Sequence, residues 1–148
     1  MALARGRYTI TGGLGGLGMR AGALVVEGGA ARVLLASRSG RVVRDGQGLD
    51  LQLRSMGTIA AVVACDSADA SDVHAFVCVQ SLTGVLHAAG IGDKGLLVEL
   101  DCRRVLSMYS SKAFGAWYLQ LSAALVPMES RVLFASVASG LGNVGQGT

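Results

Sequence analysis

Eight consecutive residues, Thr11-Gly12-Gly13-Leu14-Gly15-Gly16-Leu17-Gly18, carry the densest chemical signal in the chain. They satisfy G-x-G-x-x-G through Gly13, Gly15 and Gly18, and T-G-x-x-x-G-x-G through Thr11, Gly12, Gly16 and Gly18. Glycines let a backbone turn tightly and approach a pyrophosphate. A helix that follows presents free N–H groups and a partial positive charge to that anion. The bare pattern is weak, but between a strand and a helix it reads as a dinucleotide site. About 20 residues further on, an NAD site usually carries Asp or Glu on the ribose 2′-OH. Ser37-Arg38 stand there instead. A guanidinium pairs with a 2′-phosphate that an acid would repel, so NADPH is the expected cofactor. Arg41 and Arg44 are candidates to add to that positive field; taken singly, Arg38 also fits a solvated surface arginine, and Arg41 and Arg44 fit loop charges.

The elements that must hold these residues are visible as alternating patterns. Apolar runs at 8–11, 32–37 (RVLLAS), 58–65 (TIAAVVAC), 84–89 (GVLHAA) and 131–136 (RVLFAS) predict five strands. Leu17, Ala21, Leu24 and Val25 fall at helical spacing and stop at Gly28-Gly29, a pair suited to a helix C-terminus. Further helices are predicted over 49–56, 70–81 and, as one long helix, 101–124. The strand runs are continuously apolar, as in a parallel sheet covered on both faces. The predicted class is α/β: a Rossmann-like doubly wound parallel sheet with helices on both faces. Residues 1–148 read as a single incomplete domain, C-terminally truncated inside the glycine-rich stretch 140–148.

Composition narrows the function. Of 148 residues, 51% are hydrophobic and 16% charged, which excludes a disordered chain. The net charge of +3 with 5% aromatic residues is a poor match to a nucleic-acid binder and fits one phosphorylated ligand better. Three cysteines (Cys65, Cys78, Cys102), with no C-x-x-C pair, argue against a disulfide framework or a metal site. They point to a reducing, cytoplasmic setting. No apolar run reaches the roughly 18 residues of a membrane span, and Met1 to Arg7 lead straight into a strand rather than a secretory signal.

The segments YTITGGLGGLG (8–18), VLLASRSG (33–40), VVACDSAD (62–69), GVLHAAG (84–90), SSKAFGAWYL (110–119) and VLFASVASGLGNVGQG (132–147) together resemble the short-chain dehydrogenase/reductase superfamily. Within it they look like the ketoreductase domain of type I polyketide synthases and animal-type fatty acid synthases. The resemblance is collinear over nearly the whole chain. It implies reduction of a β-ketoacyl thioester on an acyl carrier protein, with hydride from NADPH, inside a multidomain synthase. A tyrosine would donate the proton, a serine would hydrogen-bond the ketone oxygen, and a lysine would lower the tyrosine pKa and hold the nicotinamide ribose. Lys112 matches the lysine and Ser136 the serine. Asp66, flanked by Cys65 and Ser67, matches the acid at the adenine. His87-Ala88-Ala89-Gly90 matches the strand end along the cofactor.

The roles are chemically sound. A ketone becoming an alkoxide needs donors aimed at the developing charge. A phenol needs a neighbouring cation to act as an acid near neutrality. Taken alone, Lys112 is a helix charge in solvent, Ser136 a strand-end turn residue, His87 a packed strand-end histidine and Cys65 a core residue.

The tyrosine position, thirteen residues after Ser136, would be 149, one past Thr148; Tyr8, Tyr109 and Tyr118 do not match it. The sequence as it stands is therefore expected to bind dinucleotide and not to reduce ketones efficiently. Two other functions remain open. One is a non-catalytic dinucleotide-binding subdomain that supports a neighbouring catalytic part. The other is a stand-alone reductase of a small carbonyl compound.

Overall fold

Each strand of the sheet is a short apolar run bounded by turn residues, and each connection is long enough for a helix. In a computed structural model, which describes residues 5–42, 48–78, 81–92, 98, 100–136 and 141, the order is β1 (Arg7–Thr11), α1 (Gly16–Glu27), β2 (Arg32–Ser37), α2 (Leu49–Ser55), β3 (Ala60–Ala64), α3 (Ala70–Cys78), β4 (Gly84–His87), α4 (Cys102–Tyr109), α5 (Gly115–Ala124) and β5 (Ser130–Leu133). All strands pair in parallel in the order β3-β2-β1-β4-β5. The chain runs outward from β1 to one edge, returns, and builds the other half. The switch point lies between β1 and β4, where doubly wound sheets bind ligands.

Period-two alternation divides the core between the two faces. Val33 and Leu35 of β2, with Ile10 and Leu86, pack under α1 and α2 against Met19, Val25, Leu49 and Met56. Leu34 and Ala36 of the same strand, with Val85, pack under α3 and α5 against Val73, Phe76, Val77, Leu119 and Ala123. Helices therefore cover both faces, as the sequence predicts. The covering is uneven. β1, β2 and β4 are buried, β3 at one edge is half-buried, and at the other edge Val132, Leu133 and Phe134 are exposed.

The predicted strands over 84–89 and 131–136 and helix over 70–81 are shorter, β4 ending at His87, β5 at Leu133 and α3 at Cys78, and two predicted elements differ in kind. The strand expected from Thr58 starts at Ala60, because Gly57–Ile59 form a 3₁₀ turn that begins at Gly57 with φ +57°. The helix expected over 101–124 is interrupted by a π-helical turn, Ser110–Phe114, where the Gly115 N–H reaches back to the Ser110 carbonyl. Asp101 caps α4 by accepting from the Arg104 N–H at 2.7 Å. Among the described residues no helix is long and apolar enough to cross a membrane, and no cluster of side chains could hold a metal ion.

Candidate functional site

The glycine segment leaves β1 and turns at once into α1. Gly12 takes φ +66°, and a Cβ on it would stand 2.6 Å from the backbone of Ala89. A Cβ on Gly18 would run into the Gly12 carbonyl. The turn is pinned to the sheet by the Gly13 N–H on the Ala36 carbonyl (2.9 Å) and closed by the Gly15 N–H on the Gly12 carbonyl (3.0 Å). No side chain caps α1, so its N-terminal N–H groups are left to face whatever lies in front of the turn.

In front of it is an open cleft of about 710 Å³, within the usual range of ligand sites. Gly12, Leu14, Gly15, Gly16, Leu17 and Gly18 form one wall; Ser37 and Arg38 form the second, with Ala88 and Gly90 below. A second space of about 290 Å³ shares Gly12, Ser37, Arg38 and Gly90 and continues past Cys65, Asp66, Ser67 and Ala89. The two make one groove across the C-terminal ends of β1 to β4. Most of the residues singled out by sequence line it.

The remaining ones stand behind it or at its far end. Gly13 is buried under the turn. Thr11 and His87 are buried in the floor, with the Thr11 Oγ1 2.6 Å from His87 Nδ1. Lys112 lies on the π-turn, and its Cε would sit 3.1 Å from a Cβ on Gly90, so its stem crosses the groove floor at that glycine. Ser136 follows β5. His87 is opposite Leu133 in the sheet, and Gly90 and Ser136 each lie three residues beyond that pair. The parallel register thus carries Ser136 to the same end of the sheet as Gly90 and Lys112.

Further residues line the groove. Arg41 joins Arg38 on its wall; the Ser39 hydroxyl donates to the Arg41 carbonyl at 3.0 Å and shapes the turn that presents both. Ser107, Ser110 and Ser111 face Asp66 and Ser67 across the second space. Serine on a helix gives no periodic signal of its own; Ser107 stands on α4, and Ser110 and Ser111 on the π-turn that follows it. Arg44 lies outside the described residues.

The loop after β3 is fixed by its carboxylates. Asp66 accepts from the Ala68 N–H (3.0 Å), its own N–H donates to Asp72 (2.9 Å), and Asp69 accepts from the N–H groups of Ser71 and Asp72. Burial, and then the charges of Asp72, Asp66 and Asp69, push the Cys65 thiol up to about 11. It is a neutral wall residue, not a nucleophile. Burial lowers the His87 pKa from its usual 6.5, only partly offset by the carbonyls of Lys112 and Ser111.

The family model described as KR domain matches residues 6–148. The chain belongs to the KR domain family. It is 36% identical over 95% of its length to polyketide synthase GfsA from Streptomyces halstedii, and 37% identical over 96% to erythronolide synthase EryA2 from Saccharopolyspora erythraea. It spans 2% and 4% of those proteins. Among solved structures it superposes on A-type ketoreductases from a modular polyketide synthase with a TM-score of 0.81 at 30% identity, covering 97% of this chain and 31% of that one. It also superposes on the ketoreductase from the first module of phoslactomycin biosynthesis in Streptomyces sp. HK803, with a TM-score of 0.83 at 29% identity, covering 97% and 34%.

The family implies a nicotinamide dinucleotide, and the groove fits one. Its wall is a turn that needs glycine at 12 and 18 for its own tight backbone, while Gly16 at the start of α1 faces open space, since a Cβ there would meet no protein atom within 4 Å. The Ser37 Oγ at its edge is buried with no hydrogen-bond partner among the described residues.

Proposed function

We propose that residues 1–148 form the NADP(H)-binding Rossmann part of a ketoreductase domain that reduces a β-ketoacyl thioester on an acyl carrier protein. Its setting is a multidomain polyketide or fatty acid synthase, whose other domains are its partners. One observation carries this reading. A groove with the glycine turn and two arginines along its walls reaches Gly90, against which the Lys112 stem lies. Gly16 to Gly18 at the α1 N-terminus would hold the pyrophosphate. Arg38, with Arg41 beside it, would take the 2′-phosphate, which selects NADPH over NADH. Asp66 and its neighbours Cys65 and Ser67 would border the adenine.

NADPH when bound supplies the hydride that the ketone carbon accepts. The ketone oxygen gains a proton, and the product is a β-hydroxyacyl thioester. Ser136 donates a hydrogen bond to that oxygen as charge develops on it. The resemblance implies a tyrosine as the proton donor. The Lys112 ammonium would lower the pKa of that phenol and hold the ribose.

The test follows NADPH absorbance in the full-length protein with a small β-ketoacyl thioester. Lys112→Ala and Ser136→Ala should each lower kcat by about 10²–10³, the usual effect of losing a donor to a developing oxyanion. Ser136→Ala should leave NADPH binding intact, and Lys112→Ala should weaken it through the ribose contact. A protein that binds NADPH and reduces no such thioester would instead be a non-catalytic dinucleotide-binding subdomain.

A further inference from the structure

We propose that His87 is a positioning residue for Lys112, tying the π-turn that carries the lysine to the end of β4 through its Nε2 proton. The functional part of this inference rests on the ketoreductase reading; the structural part does not.

The ring's chemistry follows from its two partners. Nε2 lies 3.2 Å from the Lys112 backbone oxygen, and a carbonyl can only accept. Nε2 therefore carries the proton. In the neutral ring Nδ1 is then the acceptor, so the Thr11 hydroxyl donates to it across 2.6 Å. The ring is 4% exposed, and burial disfavours the imidazolium form. One tautomer satisfies every polar atom in the seam.

The position of this bond matters more than its strength. It grips the main chain of Lys112 and not the ammonium, so it fixes the Cα from which the stem departs. That Cα sits inside a π-turn, a helix irregularity that is rare and often found at functional sites. The helix can seat on the imidazole because residue 115 is glycine. A Cβ there would stand 3.0 Å from both His87 Cε1 and the Ser67 carbonyl. From this seat the lysine stem crosses Gly90, with Cγ and Cε 3.3 and 3.1 Å from where a Cβ would be. Thr11 closes the glycine turn's own strand, so the seam joins the phosphate end of the groove to its lysine end. A histidine that served only to fill the core would not need to present a proton to this carbonyl.

The chain contains two histidines and two lysines, so each can be followed by NMR without crowding. In 15N-histidine-labelled chain, His87 should be a single neutral tautomer with the proton on Nε2. A proton on Nδ1, or a mixture, overturns the proposal without any variant. In 13C-lysine-labelled chain, Lys112 should show two distinct ε-methylene proton shifts, assigned by their loss in Lys112→Ala. His87→Gln places an amide donor near the Nε2 position and should keep them distinct. His87→Asn reaches only the Nδ1 position, keeps the Thr11 side of the seam, and should merge them. Equal behaviour of Gln and Asn overturns the proposal.

In full-length protein His87→Asn should lower kcat by about tenfold to a hundredfold, the scale of a small misplacement of a reacting group, and His87→Gln by much less. In a Lys112→Ala background, His87→Asn should add no further loss. Additive losses would indicate a purely structural role and overturn it. Should the enzyme reduce no thioester, the ketoreductase reading fails, and the lysine signals still decide whether His87 positions Lys112.

Discussion

The two ends of the groove are built from different materials. Around β1, β2 and β3 the shape is made by backbone. Gly12 abuts Ala89, the Gly13 N–H holds the Ala36 carbonyl, and the Cys65 N–H holds the Ser37 carbonyl at 3.0 Å. Around β4, α5 and β5 it is made by side chains. His87 bridges Thr11 and Lys112, the lysine stem lies on Gly90, and Ser136 extends beyond an exposed edge strand. The contrast suits the work proposed for each end. A phosphate needs fixed N–H dipoles and close approach, which backbone supplies without rotamer freedom. Proton and oxyanion chemistry needs particular side chains, which must be aimed by something else. Here the aim comes from a π-turn seated on an imidazole.

The largest effect should come from spoiling the backbone end. Gly12→Ala forces a Cβ onto Ala89 and strains a left-handed conformation. The turn relaxes away from the clash and must regain its shape to bind, at roughly 1–3 kcal/mol for the backbone conformation alone, so NADPH affinity should fall by about tenfold to a hundredfold or more. Fluorescence titration of bound NADPH measures it. Affinity close to wild type would mean that the cradle does not hold the pyrophosphate.

The side-chain end should respond to pH instead. The folded pKa of His87 is lowered, so between that value and the unfolded 6.5 the unfolded chain binds the extra proton. This contribution to stability is complete above about 6.5 and is lost as pH falls below it. Denaturant melts across that window should show a steeper acid loss in wild type than in His87→Gln. Parallel curves would remove His87 as the cause.

The smallest effect lies between the two ends. Thr9, midway along β1, is fully buried, and its Oγ1 has no hydrogen-bond partner among the described residues. Thr9→Val keeps the branched shape and removes the stranded hydroxyl. It should stabilise the fold by about 1 kcal/mol and leave NADPH affinity unchanged. A destabilised variant would mean that the hydroxyl has a partner.

The same contrast decides what could be read in the sequence. The backbone end was legible because its signals are local. Glycines between an apolar run and a helical run have one common use, and RVLLAS forms β2 with the boundaries its apolar run predicts. Arg38 was legible by its distance from the glycines, while Arg41 became a groove residue only through the turn at Ser39. At the other end, Lys112 and Ser136 were identified by resemblance, because a lysine on a helix and a serine after a strand carry no spacing signal. The π-turn could not be seen at all. No proline or glycine opens it, and it depends on the long-range seat of residues 112 and 115 on His87 and Ser67. The burial of β5 was overestimated from its apolar run, since an edge strand has a neighbour on one side only.

The claim that this groove takes NADPH with its 2′-phosphate on Arg38 is tested most directly by calorimetric titration of NADPH and NADH into wild type and Arg38→Ala. Wild type should bind NADPH more tightly than NADH. Arg38→Ala should lose about 1.5–3 kcal/mol of NADPH binding, the scale of a hydrogen bond to a charged group, and little or none of NADH binding. Equal losses for the two cofactors, or none for either, would contradict it.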